Sequence, residues 1–207
     1  MASLYDRFIL PGLLGCACSS SPIMRQRAKV VPRAQGRVLE LGVGMGLNLA
    51  YYDPEKVTGV IGVDPAAELR TAALAAPRDP RLTVAIEDGT AEALPFEDRS
   101  FDTVVCTFTL CSVCAPAEAL AEARRVLKPR GRLLFCEHGL APDTGLARWQ
   151  RRIEPVWKRI AGGCHLTRPI ESAIAAAGFT VRDIDRMYVP KTPKFAAWNE
   201  WGSASPA

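Results

Sequence analysis

The chain is 207 residues long, with 48% hydrophobic and 23% charged residues and a formal net charge of +4. Such a length suits one compact domain that buries about 70% of its unfolded surface, and the composition excludes a disordered chain. The basic excess is scattered, its densest groups being Arg25 to Lys29 and Arg148 with Arg151 and Arg152, so no nucleic-acid partner is expected.

In chain order, the first feature is an apolar run, residues 8–14, interrupted by Pro11-Gly12 and preceded by Asp6 and Arg7. A bilayer span needs about 20 apolar residues, and an export signal needs a longer core behind more positive charge. Residues 1–36 are therefore read as an N-terminal lid or helical segment of a cytoplasmic protein, open to peripheral contact with a membrane surface, with Tyr5 and Asp6 as groups that close a pocket. From Arg37 onward, β-branched runs alternate with Ala-rich helical stretches at the spacing of βα units. Strands are expected at residues 37–41, 57–63, 82–87, 101–107 and 132–137, several nearly continuous in apolar residues, as a sheet covered on both faces requires. Helices are expected at 47–52, 66–75 and 116–127. The last opens with Pro116 and stops before Pro129 and Gly131, which is helix start and stop chemistry. Further on come a Trp- and Arg-rich stretch at 146–160, a loop Gly162-Gly163-Cys164-His165, a helix at 169–177 ended by Gly178, and strands at 180–188 and 196–201. The expected fold is α/β: a Rossmann-like, seven-stranded, mostly parallel sheet in a single domain over residues 37–207.

Seven cysteines without the spacing of a disulfide framework read as reduced thiols, with Cys106, Cys111 and Cys136 as small apolar fillers in or beside strands. Cys111 and Cys114 form a C-x-x-C, but no second pair stands at zinc spacing, so no metal site is expected.

The most informative segment is Val38-Leu39-Glu40-Leu41-Gly42-Val43-Gly44-Met45-Gly46, an apolar strand running into three alternate glycines. Bare backbone turns sharply there and lets a ligand approach. The next strand ends in Gly62-Val63-Asp64-Pro65, which sets a carboxylate where it can accept both hydroxyls of a ribose. A dinucleotide turn would place its third glycine one residue later, and Glu40 would repel a phosphate but suit a ligand that carries an amino group and a sulfonium. S-adenosylmethionine is thus favoured over NAD. The plainer alternative is a set of turn glycines with a helix-capping Asp64.

Through Glu40 to Gly46, Asp64, Gly89 to Phe96 and Phe101 to Val113, the chain resembles the class I methyltransferases over most of residues 37–140. The resemblance implies S-adenosylmethionine as cofactor, with Gly42, Gly44 and Gly46 along its methionine part, Asp64 on the ribose, and Pro65 and Leu69 against the adenine. Glu40, Asn48, Thr90, Ala91, Glu92 and Thr107 complete the implied cofactor set. Thr90 stands where the family's adenine loop commonly has an Asp, which leaves Asp88 or a backbone carbonyl to meet the adenine amino group.

A narrower resemblance, carried by residues 104–113, Glu137-His138, Trp149-Gln150 and Gly163-Cys164-His165-Leu166-Thr167-Arg168, is to the group that contains the microsomal alkyl-thiol methyltransferases. Their long membrane anchor is not matched by residues 8–14. This resemblance implies a small or lipophilic acceptor, a thiol or sulfide first. A sulfonium is already an activated donor, so catalysis is mainly alignment in a dry pocket, worth at most about 7–11 kcal/mol. A thiol of pKa about 8.5 then needs one nearby base or cation. His138, after strand five, and His165, in the loop before the next helix, are candidates for acid–base or positioning roles, each with a hydrogen-bonded structural histidine as its alternative. Cys111 at a strand end and Tyr5 in the lid are further candidates, with packing and a surface helix start as theirs. Trp149, Trp157 and Phe179 read as packing or as an aromatic rim. The competing functions are a phospholipid amine N-methyltransferase, a quinone C-methyltransferase and a non-catalytic module that senses the cofactor.

Overall fold

The computed structural model describes Gly15 and residues 18–207. Tyr5, Asp6 and residues 8–14 lie outside the described residues. Seven strands form one sheet: β1 (Gly36–Leu41), β2 (Val57–Asp64), β3 (Val84–Asp88), β4 (Phe101–Thr107), β5 (Leu127–His138), β6 (Phe179–Tyr188) and β7 (Trp198–Pro206). Their spatial order is β3-β2-β1-β4-β5-β7-β6. Strands β1 to β5 pair in parallel, and β7 runs antiparallel to both β5 and β6.

Successive residues of β4 explain its unbroken apolar run. Val104 and Cys106 join one buried cluster while Val105 joins another, because alternate side chains point to opposite faces of the sheet. The same alternation places Leu39 and Leu41 with the first cluster and Val38 with the second. Among the described residues the helices are α1 (Ser21–Val30), α2 (Ala67–Ala75), α3 (Pro116–Val126), α4 (Thr144–Ile160) and α5 (Ile170–Ala176). Helix α3 turns Ala119, Leu120, Ala123 and Val126 into the core at helical spacing, behind a first-turn proline. None of these helices is long and apolar enough to cross a membrane.

Four expectations need correction. Residues 47–52 form only a short 3-10 turn, Leu49–Tyr51, because Asn48 and Tyr52 turn inward to hydrogen-bond Glu40. Strand β5 begins at Leu127, not 132: Leu127 pairs with Phe101 straight out of α3, and Pro129 to Gly131 sit in a register irregularity before Arg132 meets Thr103. Strand β7 starts at Trp198, since a 3-10 turn at Lys194–Ala196 occupies the expected start. Trp149, read as packing or as part of an aromatic rim, is 52% exposed on α4 and so does not pack in the core, whereas Phe179 is buried in the main cluster.

The chain winds outward from β1 through β2 to β3, then returns to place β4 on the other side of β1. Loops leaving the carboxyl ends of β1 and β4 therefore diverge and leave a crevice between them.

Candidate active site

The crevice opens into a cavity of about 620 Å³. The turn after β1 forms its first wall, with φ of +62° at Gly42 and +54° at Gly44, a conformation that glycine adopts without strain. A Cβ on Gly42 would lie 2.6 Å from the Thr109 side chain, while one on Gly44 would meet nothing nearer than the Gly42 carbonyl at 3.9 Å and would project into open space. Gly42 and Gly44 line the cavity; Gly46 does not, and its backbone packs beneath α2 against Ala73 and Ala76.

Asp64 ends β2 on the next wall. Its Oδ2 accepts the Gly44 N–H at 3.0 Å and its Oδ1 the Ala66 N–H at 2.9 Å, so one carboxylate ties the glycine turn to the strand beside it. Burial raises its pKa, opposed by those two N–H groups. Pro65, Leu69, Thr90, Ala91 and Glu92 continue the lining. Glu92 Oε1 also accepts the Cys114 N–H at 2.9 Å, which fastens this wall to the start of α3. Asp88, the expected substitute at the adenine loop, instead pairs with Arg70 at 2.8 Å and does not line the cavity.

Glu40 and Asn48 lie beneath the turn and likewise do not line the cavity. Asn48 Nδ2 donates to Glu40 Oε1 at 2.9 Å and Tyr52 donates to Oε2 at 2.6 Å. Burial outweighs these bonds and pushes the Glu40 carboxyl up to about 7. The missing member of this network, which the sequence reading overlooked, is Arg27 of α1. Its Nη1 donates to Thr107 Oγ1 at 2.7 Å and to Asn48 Oδ1 at 3.0 Å, and its guanidinium stands 5.0 Å over the Phe108 ring. Arg27 is buried yet lines the cavity, along with Thr107. Its Nε is buried without a hydrogen-bond partner among the described residues. Phe108 holds a left-handed φ of +53° where β4 gives way to the loop, a strained placement of the kind found at functional sites. The only sequence signal for Arg27 was its membership of the basic group Arg25 to Lys29.

These residues fit S-adenosylmethionine. The bare turn would admit its methionine part, Asp64 would offer a carboxylate to its ribose, and the buried positive charge of Arg27 would meet its carboxylate.

Thr109, Ser112, Val113, Cys114 and Gly162 form a further wall, on which the Thr109 side chain stands against Gly42. The backbone of this wall is clamped from two sides. The buried Glu137 carboxylate accepts the N–H groups of Thr109 at 2.8 Å, Leu110 at 3.0 Å and Cys111 at 3.3 Å, and the Arg168 guanidinium donates to the carbonyls of Leu110 and Val113. Burial, then the neighbouring Cys111, push the Glu137 carboxyl up to about 8. Behind this wall, His138 Nε2 lies 3.2 Å from Cys164 Sγ, to which Trp157 Nε1 donates at 3.4 Å. The donor atoms of Cys111, His138 and Cys164 all lie within 4.8 Å of one another. Hydrogen bonding by Cys164, and then the charge of His138, hold the Cys111 thiol well below its usual range, while Cys164 is pushed up. Burial opposes charge on His138, but Cys111 raises its pKa on balance.

His165 is not part of this group: its Nδ1 pairs with Glu154 at 3.1 Å, and its backbone N–H donates to the Cys111 carbonyl at 2.7 Å. Cys114, the C-x-x-C partner, is exposed and outside the group as well. The association of Cys111 with Cys164 had no sequence signal beyond the separate motifs that contain them.

A family model for a methyltransferase domain matches residues 39–135. Thiol S-methyltransferase TMT1B of Rattus norvegicus is 42% identical over 148 residues, 69% of this chain and 59% of that protein. Thiol S-methyltransferase TMT1B of Homo sapiens is 37% identical over 161 residues, 76% of this chain and 66% of that protein. The chain thus spans about three fifths to two thirds of these relatives' length. Among solved structures, the methyltransferase in a complex with the Haloferax volcanii Trm112 methyltransferase activator matches with a TM-score of 0.75 over 100% of both chains at 18% identity, a likeness of fold. The chain belongs to the class I S-adenosylmethionine-dependent methyltransferases and is related to their thiol S-methyltransferase group.

Proposed function

We propose that the chain transfers a methyl group from S-adenosylmethionine to a small or lipophilic thiol, releasing a methyl thioether and S-adenosylhomocysteine. One observation carries the reading: one cavity is lined both by the glycine turn, Asp64 and Arg27 and by Ser112 and Gly162, which adjoin the group of Cys111, His138 and Cys164. The similarity to proteins named thiol S-methyltransferases supports the choice of acceptor.

In this reading Gly42 and Gly44 seat the methionine part, Arg27 meets its carboxylate, Asp64 holds the ribose, and Pro65 and Leu69 flank the adenine. The bound cofactor supplies an activated methyl group on a sulfonium. The chain's own contribution is alignment: Glu137 and Arg168 hold the acceptor wall in place. His138 positions that wall from behind, and His165 steadies the same loop through Glu154.

A lipophilic acceptor also suits contact with a membrane surface. Helix α4 leaves Trp149, Val156 and Ile160 outward, 52%, 61% and 50% exposed, at a spacing that puts them on one face, with Arg148, Arg152 and Arg159 exposed alongside. Co-sedimentation with anionic vesicles is expected, and Trp149→Glu should weaken it.

The decisive assay incubates the purified full chain with S-adenosylmethionine and, separately, alkane thiols, phosphatidylethanolamine vesicles and a quinol, with products read by mass spectrometry. Methyl thioether from the thiols is the expected product. Methylated lipid or quinol without thioether overturns the thiol assignment, and cofactor binding without any turnover favours a sensor.

A further inference from the structure

We infer that Cys111, His138 and Cys164 form a site for one thiophilic divalent metal ion, zinc by its chemistry, whose free coordination position takes the acceptor's sulfur. The second half rests on the thiol reading above. The first rests on geometry alone.

Two sulfurs and one imidazole nitrogen converge from three separate parts of the fold: the loop after β4, the end of β5 and the loop after α4. Three protein ligands with one position open is the pattern of catalytic rather than structural zinc sites. With Zn–S near 2.3 Å and Zn–N near 2.0 Å, tetrahedral ligands would stand about 3.5 Å apart for N and S, and about 3.8 Å apart for two sulfurs. The His138–Cys164 separation is 3.2 Å, and the widest separation in the group is no more than 4.8 Å. Side-chain adjustments of a few tenths of an ångström up to about 1 Å would close the tetrahedron, within rotamer reach of short side chains.

The support around the group is already in place. Trp157 Nε1 donates to Cys164 Sγ at 3.4 Å, Ser112 Oγ lies 3.5 Å from Cys111 Sγ, and the backbone that carries Cys111 is clamped by Glu137 and Arg168. Such partners orient ligands before the ion arrives. The contrast with the filler cysteines is direct: Cys106 and Cys136 each sit inside an apolar cluster, whereas Cys111 and Cys164 belong to neither. The group lies just behind the cavity lining: Ser112, next to Cys111, and Gly162, two residues before Cys164, both line the cavity, while the three ligands themselves do not.

The chemistry balances without a further reactant. An acceptor thiol that enters the fourth position loses its S–H proton to solvent through the cavity and stays as a metal-held thiolate. A lone pair on that sulfur forms the new S–CH₃ bond as the methyl–sulfonium bond breaks and its electrons return to the cofactor sulfur. The neutral thioether, a poorer ligand than a thiolate, then leaves.

The test strips the full chain of metal and reloads it with cobalt(II), a spectroscopic stand-in for zinc. One ion per chain is expected, with tetrahedral d–d bands and sulfur-to-cobalt charge transfer. Cys111→Ser, His138→Ala and Cys164→Ser should each weaken retention by more than about tenfold, while Cys114→Ser, outside the group, should leave metal retention unchanged. Binding of S-adenosylhomocysteine, which rests on the other wall, reports whether each variant is folded. If a variant fails to fold, competition of the wild-type chain against a chromophoric chelator carries the metal test. Folded protein that takes up neither cobalt nor zinc overturns the site, as does retention unchanged in the Cys164 and His138 variants. An alkane thiol should then add saturably to the charge-transfer band with no cofactor present; an unmoved band overturns the acceptor's place on the metal. Added charge transfer with no thioether in the full assay would sink the thiol-methylation reading instead and leave the metal site standing.

Discussion

In the proposed reading the cofactor side of the cavity comes from neighbouring turns, Gly42, Gly44, Asp64 and Thr90 to Glu92, whereas the acceptor side is backed by side chains from three elements far apart in sequence. The first is disturbed by filling its glycine niche or by removing Asp64 or Arg27; the second can be dismantled one side chain at a time. Changes on the first should therefore appear in cofactor affinity, and changes on the second in turnover.

The largest expected break is Gly44→Arg. Its φ of +54° would cost a non-glycine residue about 1–2 kcal/mol, and the side chain would enter the cavity. Calorimetry with S-adenosylhomocysteine should register a loss of more than a hundredfold, and an unchanged affinity would remove the niche from the cofactor site. Asp64→Ala should follow, weaker by roughly ten- to a hundredfold, since charge-assisted hydrogen bonds are worth about 1.5–3 kcal/mol. Arg27→Met should cost about tenfold in the same titration with little change in melting temperature, because a buried cation gives way to an apolar chain of similar length. A collapsed melting temperature with intact affinity would make Arg27 structural only.

His138→Ala sharpens the contrast from the other side. It should lower kcat by about tenfold or more, as removal of a positioning group does, while the S-adenosylhomocysteine affinity stays within about twofold. Equal losses in both would erase the division between the walls.

The smallest effect concerns the buried network below the turn. Glu40 titrates near 7 in the folded chain against 4.5 for a free carboxyl, so the native state holds a proton that the unfolded chain releases between those values. Its contribution is full below 4.5 and is lost as the pH rises through 7, about 3 kcal/mol across that window. Glu40→Gln should flatten that part of the stability profile, read as urea midpoints at about pH 5 and about pH 8. A slope identical to that of the wild type would show that Glu40 is already ionised in the folded chain.

Glu40 also shows where sequence reasoning stopped. Its charge was legible, but its direction was not: the strand pleat and the inward turn of Asn48 and Tyr52 draw the carboxylate under the glycine turn, away from the cavity. Arg27 was hidden for a similar reason. One arginine in a basic helix looks like any other until α1 packs beside β5 and buries it against Thr107. By contrast β4 falls on the expected residues, because a strand covered on both faces must be apolar at every position.

What the sequence by itself determined is whatever depends on neighbours along the chain: alternating strands and helices, a turn that only glycine relaxes into, and an acidic residue at the end of the following strand. These are local constraints on φ, ψ and burial. The tertiary structure alone decided which distant side chains meet. Cys111, His138 and Cys164 become a group only when the strand order brings β4 beside β5 and α4 returns its loop over their ends. Such contacts leave no periodic trace in a chain, because each partner satisfies its own local rules before packing joins them.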